Sequence, residues 1–149
     1  MSLNRDFKDL LSAFNAQKVE YLVVGAHALA AYGHVRATKD LDIWVRPTLE
    51  NAKNVVSALR SFGAALHDLT EDDLAKPGTV FQIGVPPVRI DVLTTIDGID
   101  FAEAWPMRVQ TKFAGEPGAV ISRQHFIQNK RASGRAQDLA DVDRLEADC

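Results

Sequence analysis

The chain has 149 residues, of which 46% are hydrophobic and 25% charged; that is enough for one domain with its own core and far from disordered, collagenous or coiled-coil usage. Seventeen basic against twenty acidic side chains give a net charge of -3, so no overall positive field would hold the chain on nucleic acid, although a local basic patch stays open. Cys149 is the single cysteine, which excludes an internal disulfide and a thiolate metal cluster and points to a reducing compartment.

Over residues 3–14 the apolar side chains Leu3, Phe7, Leu10, Leu11 and Phe14 form one stripe of a helix. Residues 19–24 are a compact aliphatic run suited to a strand, closed by Gly25. The alanine-rich 26–32 then predicts a helix that Gly33 stops. The apolar run over 21–33 contains His27 and falls short of the ~20 residues of a membrane span. Charged Arg5, Asp6, Lys8 and Asp9 stand where a signal peptide is apolar, so a soluble cytoplasmic protein is expected.

Residues 41–45 read as a second strand, and Pro47 with Thr48 opens a helix carrying Leu49, Ala52, Val55, Val56 and Leu59 before Gly63. Residues 64–78 have no clear period and read as loop or short helix. Two β-rich runs, 79–84 and 88–94, predict consecutive antiparallel strands, and 107–113 alternates like one more. Ser122 is a suitable N-cap for a helix to about Arg131, and Gly134 separates it from a last helix with Leu139, Val142 and Leu145 on one side. No repeat or linker divides residues 1–149. The expected fold is a single α/β (α+β) domain: a mixed sheet of about 4–5 strands, helices mainly on one face, and two C-terminal helices.

Asp40 and Asp42 flank Leu41 at the head of the second strand, so alternation projects both carboxylates from one face. With Cα atoms about 6.6 Å apart along the strand, the two carboxylates can converge on Mg²⁺, and paired ions can clamp the attacking and leaving oxygens of a phosphoryl transfer. A solvated strand edge has the same sequence. A third carboxylate, Asp91, lies mid-strand in Val88-Arg89-Ile90-Asp91-Val92-Leu93 and needs a partner there. That partner is Arg89 or Arg36 in an ion pair, or a metal shared with Asp40 and Asp42 if the two strands are neighbours. The run Val23-Val24-Gly25-Ala26-His27-Ala28 leads a strand through glycine into a helix, where backbone N–H groups face an anion. It lacks both the Gly-Lys-Ser/Thr and the Gly-x-Gly-x-x-Gly phosphate loops.

Together these pieces resemble the nucleotidyltransferase superfamily that includes DNA polymerase β and small prokaryotic nucleotidyltransferases. Its pattern is a strand, Gly-Gly or Gly-Ser, a short helix, an Asp-x-Asp strand, and a later acidic residue on a neighbouring strand. Here these are Gly25-Ala26, Asp40-Leu41-Asp42 and Asp91. The Arg36-x-Thr38-x-Asp40-x-Asp42 run looks most like the AbiEii-type and antibiotic-adenylylating branches, and the end from Lys130 through Gly134-Arg135 to Asp138 and Asp141 is similar to small members of the group.

The resemblance implies an enzyme that moves a nucleoside monophosphate from an NTP to an acceptor hydroxyl with release of pyrophosphate. It implies that Asp40, Asp42 and Asp91 are the catalytic residues and hold Mg²⁺ or Mn²⁺, and that Gly25, Ala26, His27, Arg36, Thr38, Lys39 and Lys130 bind the nucleotide. Arg36 also suits a counter-ion for the clustered aspartates, and His27 also suits a packed core position. Ala26 departs from the usual Ser or Gly and offers no hydroxyl to a phosphate. The acceptor is open: a toxin protein in a toxin–antitoxin pair, a tRNA end, or a small molecule gripped by a homo-oligomer. No membrane partner is expected. The other functions compatible with these residues are a catalytically weak nucleotide-binding or antitoxin-type module on the same fold, and a metal-dependent phosphohydrolase.

Overall fold

The computed structural model describes residues 3–34, 40–85 and 88–147. In chain order the elements are α1 (Leu3–Ala16), β1 (Tyr21–Val24), α2 (Gly25–Ala31), β2 (Asp40–Val45), α3 (Leu49–Phe62) and α4 (Glu71–Leu74). There follow β3 (Val80–Val85), β4 (Val88–Leu93), α5 (Phe101–Ala104) running into a 3₁₀ turn (Trp105–Met107), β5 (Val109–Phe113), β6 (Glu116–Val120), α6 (Arg123–Ser133) and α7 (Ala136–Glu146).

Local chemistry sets the helix ends. Thr48 and Ser122 accept hydrogen bonds from the backbone N–H groups of Asn51 and His125, satisfying donors that the first turns of α3 and α6 leave open. Gly63 and Gly134 close the same helices in the left-handed conformation. The unpatterned stretch before β3 holds one turn, α4, secured by a capping box between Thr70 and Asp73.

The strands form one mixed sheet in the order β3-β4-β2-β1-β6-β5. β2 runs antiparallel to β1 and parallel to β4; β3 and β4 are antiparallel neighbours, as are β5 and β6. This is a strand more than the sequence suggests, and the addition is β6. Pro117 and Gly118 hide it, since both disfavour strands. Gly118 is required there, because a Cβ would press on the Phe113 ring.

Alternation sorts the two faces. Leu41, Ile43 and Val45 of β2 are buried, and Tyr21, opposite Val45, meets Phe14 of α1 edge to face. Helices α1 and α3 pack together on that side. The other face carries Asp40, Asp42 and Trp44; the Trp44 ring is buried against Phe101, and its Nε1–H donates to the Thr94 carbonyl. The site therefore lies at one end of β2 on a face whose other end is sealed by core aromatics.

Candidate active site

Parallel pairing sets Asp42 opposite Asp91 and Asp40 opposite Arg89. The strand carrying the third carboxylate is thus the neighbour of the Asp-x-Asp strand, and all three acids share a face. Gly25, next to Val24, which pairs with Asp42, has φ +70°. A Cβ there would overlap the Asp42 carboxylate. Glycine is demanded twice, by the left-handed backbone and by the acid lying over it.

The carboxylates are desolvated unevenly. Asp91 is buried and Asp42 half-buried. Burial, then the charge of Asp91, pushes the Asp42 carboxyl up to about 6, while Lys130 and Arg89 pull the other way more weakly. Asp91 is raised as well, chiefly by burial, with Arg89 opposing. Arg89 reaches Asp40 at 3.4 Å and Asp91 at 3.3 Å. The contact to Asp91 is close enough for an ion pair but is misaligned for a hydrogen bond, so Arg89 Nε and Asp91 Oδ1 are both buried without a hydrogen-bond partner.

The hard oxygen donors and the orphaned Asp91 oxygen fit a cation such as Mg²⁺ in their chemistry. Their present arrangement is less complete. Among the described residues no three His, Cys, Asp or Glu side chains form a metal-holding group; the Arg89 guanidinium lies between Asp40 and Asp91.

Opposite the acids stand cations from the C-terminal helices. A cleft of about 390 Å³ is walled by Gly25, Asp40, Asp42, Asp91, Lys130 and Arg135. A second lobe of about 260 Å³ reuses five of these, all but Asp91, and adds Ala26, Gln137 and Asp138. Lys130 Nζ pairs with Asp138 Oδ1 at 3.2 Å; Asp138 Oδ2 accepts from Arg135 Nε at 2.8 Å and from the Ser133 hydroxyl at 2.6 Å. Helix α6 is stitched to the loop after β4: Gln128 and Asn129 donate to the carbonyls of Gly98 and Asp97. Gly98 lies so close to Ala132 that any Cβ would collide with it.

Of the residues expected from the sequence, Gly25, Ala26, Asp40, Asp42, Asp91 and Lys130 come together at this cleft. His27 does not line either lobe; its ring meets Phe7 edge to face at 4.8 Å, and its Nε2 is buried without a partner. Burial pushes its pKa down, which favours the neutral imidazole. Arg36, Thr38 and Lys39 lie outside the described residues. Asp97, Asn129 and Ser133 also line the cleft; no spacing or motif sets them apart in the sequence, because a loop and a helix far along the chain bring them in.

No family model and no curated protein matches the sequence. Solved structures do match. A Thermotoga maritima protein provisionally described as a nucleotidyltransferase superposes with a TM-score of 0.63 at 13% identity, covering 97% of this chain and 92% of its own. The lincosamide antibiotic adenylyltransferase LnuA, solved with lincomycin, gives 0.60 at 15% identity over 95% of each chain. An antigenic nucleotidyltransferase-like protein from Paracoccidioides brasiliensis gives 0.55 at 16% identity, over 96% of this chain and 74% of its own. The chain has the nucleotidyltransferase fold.

Proposed function

We propose that this chain, a single domain over residues 1–149 acting in the cytoplasm, is a nucleotidyltransferase that moves a nucleoside monophosphate from an NTP to an acceptor hydroxyl. The observation that carries this is the pairing of Asp42 with Asp91 on parallel strands, with Gly25 against Asp42, in a fold shared with nucleotidyltransferases. The Arg36-x-Thr38-x-Asp40-x-Asp42 run supports a place in the AbiEii-type branch. Asp40, Asp42 and Asp91 would hold Mg²⁺ or Mn²⁺, which when bound neutralises charge on the transferring phosphate.

The acceptor oxygen attacks the α-phosphorus, and an O–P bond forms there. The bond from that phosphorus to the α,β-bridging oxygen breaks, and its electron pair leaves with pyrophosphate. Asp91, whose pKa burial raises, takes the acceptor proton. Gly25 lets the phosphates approach the backbone, and Lys130 with Arg135 faces their charge.

Thermal shift tests this with each of the four NTPs, with and without Mg²⁺. At 100 times the dissociation constant a ligand stabilises by about 2.7 kcal/mol, a rise of about 5–10 °C at this size. The expected result is a Mg²⁺-dependent rise that an Asp40→Asn/Asp42→Asn variant lacks. No rise with any NTP overturns the reading. Ala26→Ser restores a hydroxyl beside the phosphates and should tighten the best NTP by about fivefold in the same titration.

The second reading is a nucleotide-binding or antitoxin-type module. Arg89 favours it by already satisfying Asp40 and Asp91 in part without a metal. Turnover separates the two. Pyrophosphate released in step with acceptor labelling marks the enzyme; binding without release marks the module. The acceptor is a toxin protein, a tRNA end or a small molecule.

A further inference from the structure

Lys130 is a cation that the fold has taken out of water, with its side chain only 9% exposed. Such an ammonium needs a partner, and Asp138, 5% exposed on the next helix, supplies it. A pair that merely joins α6 to α7 would end there, but this one continues. Asp138 spends its second oxygen on Arg135, whose side chain is 77% exposed and would otherwise sweep through solvent. The bond is made to Nε, and the two terminal guanidinium nitrogens make no hydrogen bond among the described residues. Both cations wall both lobes of the cleft. The Ser133 hydroxyl fixes the orientation of the carboxylate that holds them.

The opposing wall explains why such an anchor is needed. Lys130 interacts electrostatically with Asp42, and Arg135 with Asp97 and Asp42. Left unrestrained, both side chains would be drawn across the cleft onto those acids and would neutralise the groups a metal needs. Hydrogen bonds from Ser133 and Arg135, with the charge of Lys130, outweigh burial and hold the Asp138 carboxyl down at about 2, so it stays ionised across the working range.

We propose that Asp138 is a positioning residue: its two oxygens hold Lys130 and Arg135 back from the carboxylates and aim them at the donor's phosphates. This rests on the nucleotidyltransferase reading of the same cleft. Asp138 lines only the smaller lobe, with both its oxygens engaged, and acts through the two cations.

Calorimetric titration of the full chain with inorganic triphosphate tests it, because that probe carries no base or sugar. Asp138→Asn keeps the shape but cannot serve both cations, and it should weaken triphosphate by about tenfold or more, by analogy with the loss of a residue that orients a metal ligand. In a Lys130→Met/Arg135→Gln background the same change should have no further effect, whereas a purely architectural role gives the same loss in both backgrounds. Ser133→Ala removes the hydroxyl that reaches Asp138 Oδ2 at 2.6 Å and the Lys130 carbonyl at 3.0 Å, and no charge; it should weaken binding about threefold and carries the test if Asp138→Asn fails to fold. A wild type that binds triphosphate no better than Asp138→Asn and Ser133→Ala variants bind it overturns this proposal alone. A wild type that takes no triphosphate at all overturns it together with the functional reading.

Discussion

Asp42→Asn should lower nucleotidyl transfer about a thousand-fold and, in metal-free protein at pH 7, raise the melting temperature. On the proposed function, the loss would follow from removing one of the carboxylates that would hold the metal, whose charge is worth several kcal/mol in the transition state. The gain follows from the cost of holding an anion there. The folded-state pKa of Asp42, about 6, lies above the 3.8 of the free side chain. Stability from this group is therefore complete below pH 3.8 and is lost as pH rises through 6. Two units at 1.36 kcal/mol each set a ceiling of about 3 kcal/mol at pH 7. Solvent reaches the half-buried carboxyl, so about 1–2 kcal/mol is expected, or roughly 2–8 °C. Asparagine cannot ionise and escapes that cost. Parallel assays and melting curves for wild type and variant check both halves; an Asp42→Asn variant that is inactive but less stable at pH 7 contradicts the electrostatic account.

Gly25→Ala should be nearly as damaging with a single added methyl group. The left-handed backbone at φ +70° costs an alanine about 1 kcal/mol, and the methyl must also displace the Asp42 carboxylate. Turning that acid away disturbs its pairing with Asp91 as well. A fall in activity of at least about 100-fold is expected, with about 1–3 kcal/mol of destabilisation. Gly33→Ala is the control, since it has a similar positive φ but nothing within 4 Å of the added atom; it should lose stability and retain activity. Equal activity in the two variants would show that the contact with Asp42 is unimportant.

The parts of the structure that the sequence does not show are hidden for different reasons. Asp40 and Asp42 are legible because alternation along one strand is a local property, and the strand start is bounded by polar residues. Asp91 is legible as a misfit, a charge inside an apolar run, but its place opposite Asp42 is set by strand order, which lies outside any local window. Strand β6 is hidden by Pro117 and Gly118. The proline is tolerated because the pairing of β6 to β1 begins only at Val120, opposite Val23, and the Pro117 carbonyl accepts from Asn15. Helix α5 is a single turn, too short for a period. The grouping of Lys130, Ser133, Arg135 and Asp138 reads in sequence as charges around a helix end. Only the folding of α7 against α6 shows that one carboxylate answers two cations and a hydroxyl.

The seam between α6 and the loop after β4, with Gly98 against Ala132 and two side-chain amides bonded across it, fixes the gap between opposed charges. In electrical terms the cleft is a permanent dipole, with a carboxylate pole on the sheet and an ammonium–guanidinium pole on the helices. A nucleotide carrying a cation would be a dipole of the same kind, positive at the cation and negative over the rest of its phosphates. Such a ligand would be turned into alignment by the field before it touched either wall, and increasing salt would erode that alignment sooner than contacts already made.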